Sequence, residues 1–296
     1  MMSELETRPC SQNDLKSWGE FLDKNFGYAP PNSYAVDFAP LFEASALQRS
    51  CLVFNEKQIV SSATLYPVTV VTPAKVLQLA IIGAVATDEG FRGQGLSTQV
   101  LAWLEESARA LKMDGIVLWS DKTEFYAKSG FAPAGKQLII SLEQLPKPTS
   151  MAPGAPVYGW DWAQVRILYT RHRMRVARTE EHWKAIERIK SCTRIQWVDA
   201  SGRVQAYLGF DRGRDMNGII HEWGGDKSAL HCLLWTVLQS RPNLMWLTHP
   251  ALRDPIMAIL PDGRAIDGTL ALFKSLNPQV TAADLDNTWF WGLDSL

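Results

Sequence analysis

Apolar positions in the first half of the chain recur at two different periods. Leu15, Trp18, Leu22 and Phe26 keep helical spacing behind Ser11, a residue type that opens helices, and a short strand over 5–8 precedes them. Apolar runs over 50–54 and 60–66 flank the polar turn 55–58 and predict a hairpin, while the run over 76–87 predicts a long, largely buried strand. Leu96, Val100, Leu101, Leu104, Ala108 and Leu111 then hold one apolar helix face, followed by a strand over 115–120 and a short helix ended by Gly130. Strand, loop, helix and strand in that order predict a parallel crossover.

Pro146, Pro148, Pro153 and Pro156, with Gly154 among them, resist both helix and sheet interior, so a linker is expected over 146–156 between domains at 1–145 and 157–280. Beyond it the pattern predicts a hairpin (194–198 and 204–210 about the turn 199–202), a strand over 218–223, a helix near 228–239 and a strand over 244–248. This order partly repeats that of the first half. The two halves therefore read as distant structural duplicates, on element order rather than on residue identity. In the tail, 281–296, Trp289, Phe290, Trp291 and Leu293 are too apolar to be left in water cheaply, which predicts docking on the body. The fold class is α/β, with a mixed sheet.

Composition changes this picture little. The 296 residues are 46% hydrophobic and 21% charged, an ordinary globular balance with room for two cores. Net charge is −1, with 13 Lys/Arg against 16 Asp/Glu up to residue 150 and 17 against 15 after it, so no global charge points to nucleic acid or to an anionic membrane. Cys10, Cys51, Cys192 and Cys232 stand at least 40 residues apart, without metal-ligand or redox spacing. The N-terminal segment has acids and no apolar core, and the longest apolar stretch, 79–86, is far short of a membrane span. A cytoplasmic protein without a metal is expected.

Candidate chemistry concentrates where the strand over 76–87 runs through Arg92, Gly93, Gln94 and Gly95 directly into an amphipathic helix. Glycines let a backbone approach a phosphate closely, and a helix N-terminus offers free N–H groups and about half a positive charge. Arg92 adds a charge-assisted contact, and the Ser97 and Thr98 hydroxyls add donors in the first turn, so pyrophosphate is the natural ligand. A tight strand-to-helix connection would need such glycines too. The context decides between the two readings: after the next strand comes Phe125, Tyr126, Ala127, Lys128, Ser129, Gly130, Phe131. The chain here resembles the GNAT acetyltransferase superfamily, which carries R/Q-x-x-G-x-G/A after its fourth strand and F-Y-x-K-x-G-F after its fifth. The resemblance covers about residues 5–142 in element order; Ser97 departs from the usual Gly or Ala, and a small polar residue still fits.

The resemblance implies an acetyl-CoA-dependent N-acetyltransferase in which Arg92, Gly93, Gln94, Gly95, Leu96, Ser97 and Thr98 cradle the CoA pyrophosphate. Main-chain groups of Val85, Ala86 and Thr87 would pair with the pantetheine arm where the strands splay. The N–H near Val85 would stabilise the oxyanion, and Tyr126 would act as general acid toward the departing thiolate. Ser120 and Asp121 are candidates to hydrogen-bond the pantetheine or the incoming amine. A base is not legible, because 78–87 holds no Asp, Glu or His. It is a water chain, a residue from elsewhere, or dispensable.

The second half shows only Gly224, Gly225 and Asp226 between strand and helix, and no second F-Y-x-K-x-G-F, so it is not expected to bind CoA. A duplicate without the loop resembles the tandem layout of the enhanced intracellular survival acetyltransferases, where a degenerate domain shapes the acceptor pocket. Nine of the 12 Trp and all five His follow residue 150; Glu222 and Trp223 are candidates for an aromatic, acidic pocket for a cationic amine, against a reading as core. Arg166, Arg171, Arg173, Arg175 and Arg178 precede Glu180, Glu181 and Glu187 and read as a solvated, salt-bridged face, with an anionic acceptor as the alternative. By the same resemblance the terminal carboxylate of Leu296 is a candidate base. The acceptor is expected to be a small-molecule or peptide amine. Other classes stay open: a non-catalytic acyl-CoA-binding sensor or scaffold, and an aminoacyl-tRNA-dependent transferase, which also pairs GNAT-like domains.

Overall fold

A computed structural model describes residues 5–252, 259–260 and 264–295. The first half runs β1 (Leu5–Pro9), α1 (Leu15–Phe26), α2 (Tyr34–Asp37), α3 (Ala44–Leu47), β2 (Ser50–Asn55), β3 (Gln58–Val71), β4 (Val76–Thr87), α4 (Leu96–Ala110), β5 (Gly115–Leu118), α5 (Thr123–Ala127) and β6 (Ala132–Ser141). The second runs β7 (Ala155–Tyr158), α6 (Trp162–Tyr169), β8 (Arg175–Val176), α7 (Glu180–Glu187), β9 (Thr193–Val198), β10 (Val204–Phe210), β11 (Ile219–Gly225), α8 (Lys227–Leu238), β12 (Met245–Thr248) and β13 (Ala265–Ser275).

Local chemistry explains the main helices. Ser11 and Asp14 close a capping box ahead of α1, and Gly27, in the left-handed region, ends it with Trp18, Phe21 and Leu22 turned inward. On α4, Val100, Leu101, Leu104 and Ala108 are buried, as their spacing requires, and pack over β3. Asp226 caps α8 by accepting from the Ser228 and Ala229 N–H groups.

One mixed sheet passes through both halves in the order β1-β2-β3-β4-β5-β13-β6-β12-β11-β10-β9-β7, with β8 against β3. Its centre is not made by neighbours in sequence. Strand β13 lies between β5 and β6: Leu272–Ser275 face Leu118–Gly115, and Ala265–Phe273 face Ile140–Ala132, both antiparallel. Strand β12 then pairs with the far edge of β6. The largest buried cluster accordingly mixes Trp18, Leu52 and Leu79 with Trp197, Trp246, Trp289 and Trp291.

The tail after β13 is packed inside. Trp289, Trp291 and Leu293 are wholly buried, the Trp291 indole donates to the Met174 carbonyl at 3.1 Å, and the Gly292 N–H donates to the His221 carbonyl at 3.0 Å. Any side chain at Gly292 would run into the His221 ring, so the close approach demands glycine there.

Candidate active site

Strands β4 and β5 pair in parallel only from Leu79 to Ile81, opposite Gly115 to Val117. Beyond Ile81 they part, which leaves one edge of β4 from Ile82 to Thr87 without a strand partner. On its other edge β4 carries a bulge: Ser62 faces Ala86 and Thr64 faces Gly83, so two residues of β4, Ala84 and Val85, oppose one of β3. Ala84 sits at φ +53, in the left-handed region.

Two cavities open on either side of this point. One, of about 530 Å³, lies between β4, β5, α2 and the segment after β10, with Tyr34, Trp119, Ser120, Asp121, Arg212 and Asp215 in its walls. The other, of about 420 Å³, runs along Ala86 and Thr87 to Arg92, Gly93, Gly95, Leu96, Ser97 and Thr98. Phe26, Val85, Lys122 and Tyr126 line both, so the cavities meet at the bulge.

The second cavity has the make-up of an anion site. Gly93 and Gly95 both take φ +79, and Gly95 caps α4, whose first-turn N–H groups have no partner within the helix. Ser97 is tied back to the strand, its hydroxyl 2.9 Å from that of Thr87, which is itself 2.9 Å from the Ser61 hydroxyl. Arg92 is exposed and its Nε lies 3.4 Å from the Thr87 carbonyl, leaving the guanidinium free to turn toward a ligand. Gln94 is exposed and does not line the cavity, because its side chain leaves the loop on the solvent side.

At the junction Tyr126 is buried, and burial pushes its phenol up to about 12, against a hydrogen bond with Ser120 and with help from the Asp121 charge. It therefore stays protonated through the neutral range. Ser120 and Asp121 line the first cavity and not the second, away from the Gly-rich loop.

Residues 6–134 match the family model described as an acetyltransferase (GNAT) domain. The first half is a GNAT acetyltransferase domain. No curated protein matches the sequence. Among solved structures, a probable N-acyltransferase from Enterococcus faecalis superposes with a TM-score of 0.70 at 16% identity, over 93% of this chain and 74% of that one. Eis1 from Mycobacterium abscessus does so with a TM-score of 0.62 at 12% identity, over 92% and 73%. An N-myristoyltransferase from Saccharomyces cerevisiae with bound myristoyl-CoA gives 0.59 at 11% identity, over 99% and 83%. At these identities the likeness is one of fold, and it extends through the second half.

Around the GNAT domain, several residues do not stand where the sequence places them. Glu222 and Trp223 are buried and line neither cavity. Trp223 packs edge-on against Trp246 and Trp291, since β11 lies inside the shared sheet and turns this side chain into its core. Glu222 accepts from Arg178 at 2.6 Å and from the Leu293 N–H at 3.0 Å, and burial pushes its carboxyl up to about 7. Arg178 is likewise no part of a solvated face: it is wholly buried between Glu222 and Asp294 and stacks 4.0 Å over Tyr169. Arg166 does pair at the surface, with Glu180 and Glu187. Leu296 lies outside the described residues.

What the sequence reading missed is the wall opposite the GNAT motifs. Tyr34 stacks between Phe26 and Phe38, with ring centroids 4.7 and 4.3 Å away, and its hydroxyl accepts from the Ala84 N–H at 3.1 Å. Arg212 is buried and donates to the carbonyls of Gly292 and Ser295, which brings Ser295 to the first cavity. No motif spacing marks either residue. The only sequence signal for Tyr34 is aromatic density over 26–42, without a helical or strand period. Among the described residues no cluster of three or more His, Cys, Asp or Glu could hold a metal ion, and no helix is long and apolar enough to cross a membrane.

Proposed function

We propose that the protein is an N-acetyltransferase that takes acetyl-CoA in the second cavity and an amine in the first, and transfers the acetyl group directly where they meet. The observation that carries this reading is the junction itself: one backbone position, Val85, and one buried phenol, Tyr126, border both cavities.

The residues present fit an acyl-CoA. The first-turn amides of α4 and the Arg92 guanidinium suit a pyrophosphate, and the unpaired β4 edge from Val85 to Thr87 offers N–H and C=O groups to an amide-bearing arm as a surrogate strand. When bound, acyl-CoA supplies an activated thioester. The Val85 N–H is the donor for negative charge that develops on the carbonyl oxygen, and Tyr126 gives its proton to the leaving thiolate; the proton that the attacking amine loses passes through water and restores the phenol. Asp121 and Asp215 in the first cavity are acceptors for an amine, and its aromatic wall from Phe26 to Phe38 covers an apolar body. The sequence expectation that Leu296 supplies a base rests on no described contact, and the mechanism does not use it.

A thiol-release assay with acetyl-CoA across a panel of amines, including apolar monoamines, polyamines and peptide N-termini, tests the reading. Release that depends on one amine class is the expected result. Binding of acetyl-CoA without release for any amine would favour a sensor instead.

A further inference from the structure

The bulge that aims the junction is built from an unusual choice of residue. Glycine adopts a left-handed conformation freely; alanine at φ +53 does so against its own Cβ. Its two backbone polar groups are also displaced from the β3–β4 ladder while Ala84 is almost wholly buried. An unpaired buried amide is costly, so such a conformation persists only where its surroundings over-determine it. Here two hydroxyls from separate elements do so. The Tyr34 oxygen accepts from the Ala84 N–H at 3.1 Å, and the Ser62 hydroxyl donates to the Ala84 carbonyl at 2.9 Å.

Both partners are themselves fixed. Tyr34 is held between Phe26 and Phe38, and its own N–H donates to the Asp23 carboxylate at 2.6 Å. Ser62 is buried in the middle of β3 and lines neither cavity. The next peptide after the clamped residue is the one that carries the Val85 N–H.

We propose that Tyr34 and Ser62 are positioning residues whose hydroxyls clamp Ala84 in its left-handed conformation and thereby aim the Val85 N–H into the junction. The clamp deepens the acyltransferase reading and rests on it for its catalytic consequence, though not for its structural one. Ser62→Ala is the cleaner variant, since Ser62 touches no part of either cavity; Tyr34→Phe also alters the wall of the first.

Two measurements on the full chain test this. The first is turnover at saturating acetyl-CoA and amine. Ser62→Ala is expected to lower kcat roughly 10- to 100-fold, with acetyl-CoA affinity unchanged within about 2-fold, because a misdirected donor costs chemistry and leaves the pyrophosphate loop alone. Glycine at 84 needs no clamp, so the same Ser62→Ala change made in an Ala84→Gly background should cost much less than in the parent. A merely structural serine would show no such coupling. The second measurement is hydrogen exchange at the Ala84 amide, which requires no turnover. Tyr34→Phe should speed it by roughly 10-fold or more. Equal losses in both backgrounds, or an unchanged Ala84 exchange rate in Tyr34→Phe, would overturn the clamp. A parent protein that never releases thiol, beside a Tyr34→Phe variant with the faster exchange, would overturn the acetyltransferase reading and leave the clamp standing.

Discussion

The proposed role of Tyr126 requires a phenol that holds its proton at the working pH, and burial, which pushes it from 10 up to about 12, widens that margin. Tyr126→Phe keeps the ring, and with it the cavity wall, and removes only the proton. Turnover should fall by ~100-fold or more while acetyl-CoA affinity stays near its parent value. The same shift fixes a pH dependence: no loss of activity between pH 6 and 10 can come from this phenol, so the variant's residual rate should follow a profile of the parent's shape. Steady-state kinetics across that range check both points. Tyr126 stands out in the sequence because its neighbours form a dense local motif. Tyr34 does not, because its contact is one hydroxyl meeting a bulge 50 residues away.

At the scale of elements, local signals worked where one face of an element is buried and its ends are chemically marked. The buried run over 76–87 coincides with β4, and the helix after the Gly-rich turn begins at Leu96, where Gly95 caps it. Even there the bulge within β4 left no trace in the pattern, since an apolar run hides a change of side. The loop makes its own prediction. Gly95→Ala places a methyl in open space, so its cost is conformational, about 1–2 kcal/mol for a left-handed alanine. It should weaken acetyl-CoA binding about 10-fold, and Arg92→Glu should do so more severely by setting a negative charge beside the pyrophosphate. Titration calorimetry on both variants would show this. Strand β13 escaped the sequence reading altogether: its partners β5 and β6 lie more than 120 residues earlier, and no local pattern encodes a pairing that distant.

For the whole molecule, that pairing sets what can fold alone. Strand β5 keeps only a three-residue ladder with β4 once β13 is taken away, and β6 loses the neighbour that joins it to β5. A fragment of residues 1–145 should therefore lack a cooperative unfolding transition, as circular dichroism in denaturant would show, although it contains every residue of the two motifs. The buried charges of the second half add a pH dependence. Burial pushes His172 and His221 down to about 3 and His182 to about 4, from an ordinary 6.5. Their contribution is complete above the unfolded value and is lost as pH falls through 6.5 toward these folded values. Glu222, raised from 4.5 to about 7, acts the other way, with its contribution lost as pH rises through 7. The lowered histidines, His249 among them, outweigh one carboxyl between pH 4.5 and 6.5, so unfolding takes up protons and stability should fall on acidification. Urea midpoints across that range give the sign. Arg178 illustrates why sequence misjudged these groups: a charge run reads as solvated until the fold encloses one of its members between two carboxylates from distant segments.

The central claim is that the cavity at the Gly-rich loop takes acetyl-CoA. Calorimetric titration of the full chain with acetyl-CoA tests it most directly, run beside the Arg92→Glu variant. One binding event per chain that is lost in the variant is the result this structure predicts; no heat of binding from the parent protein would contradict it.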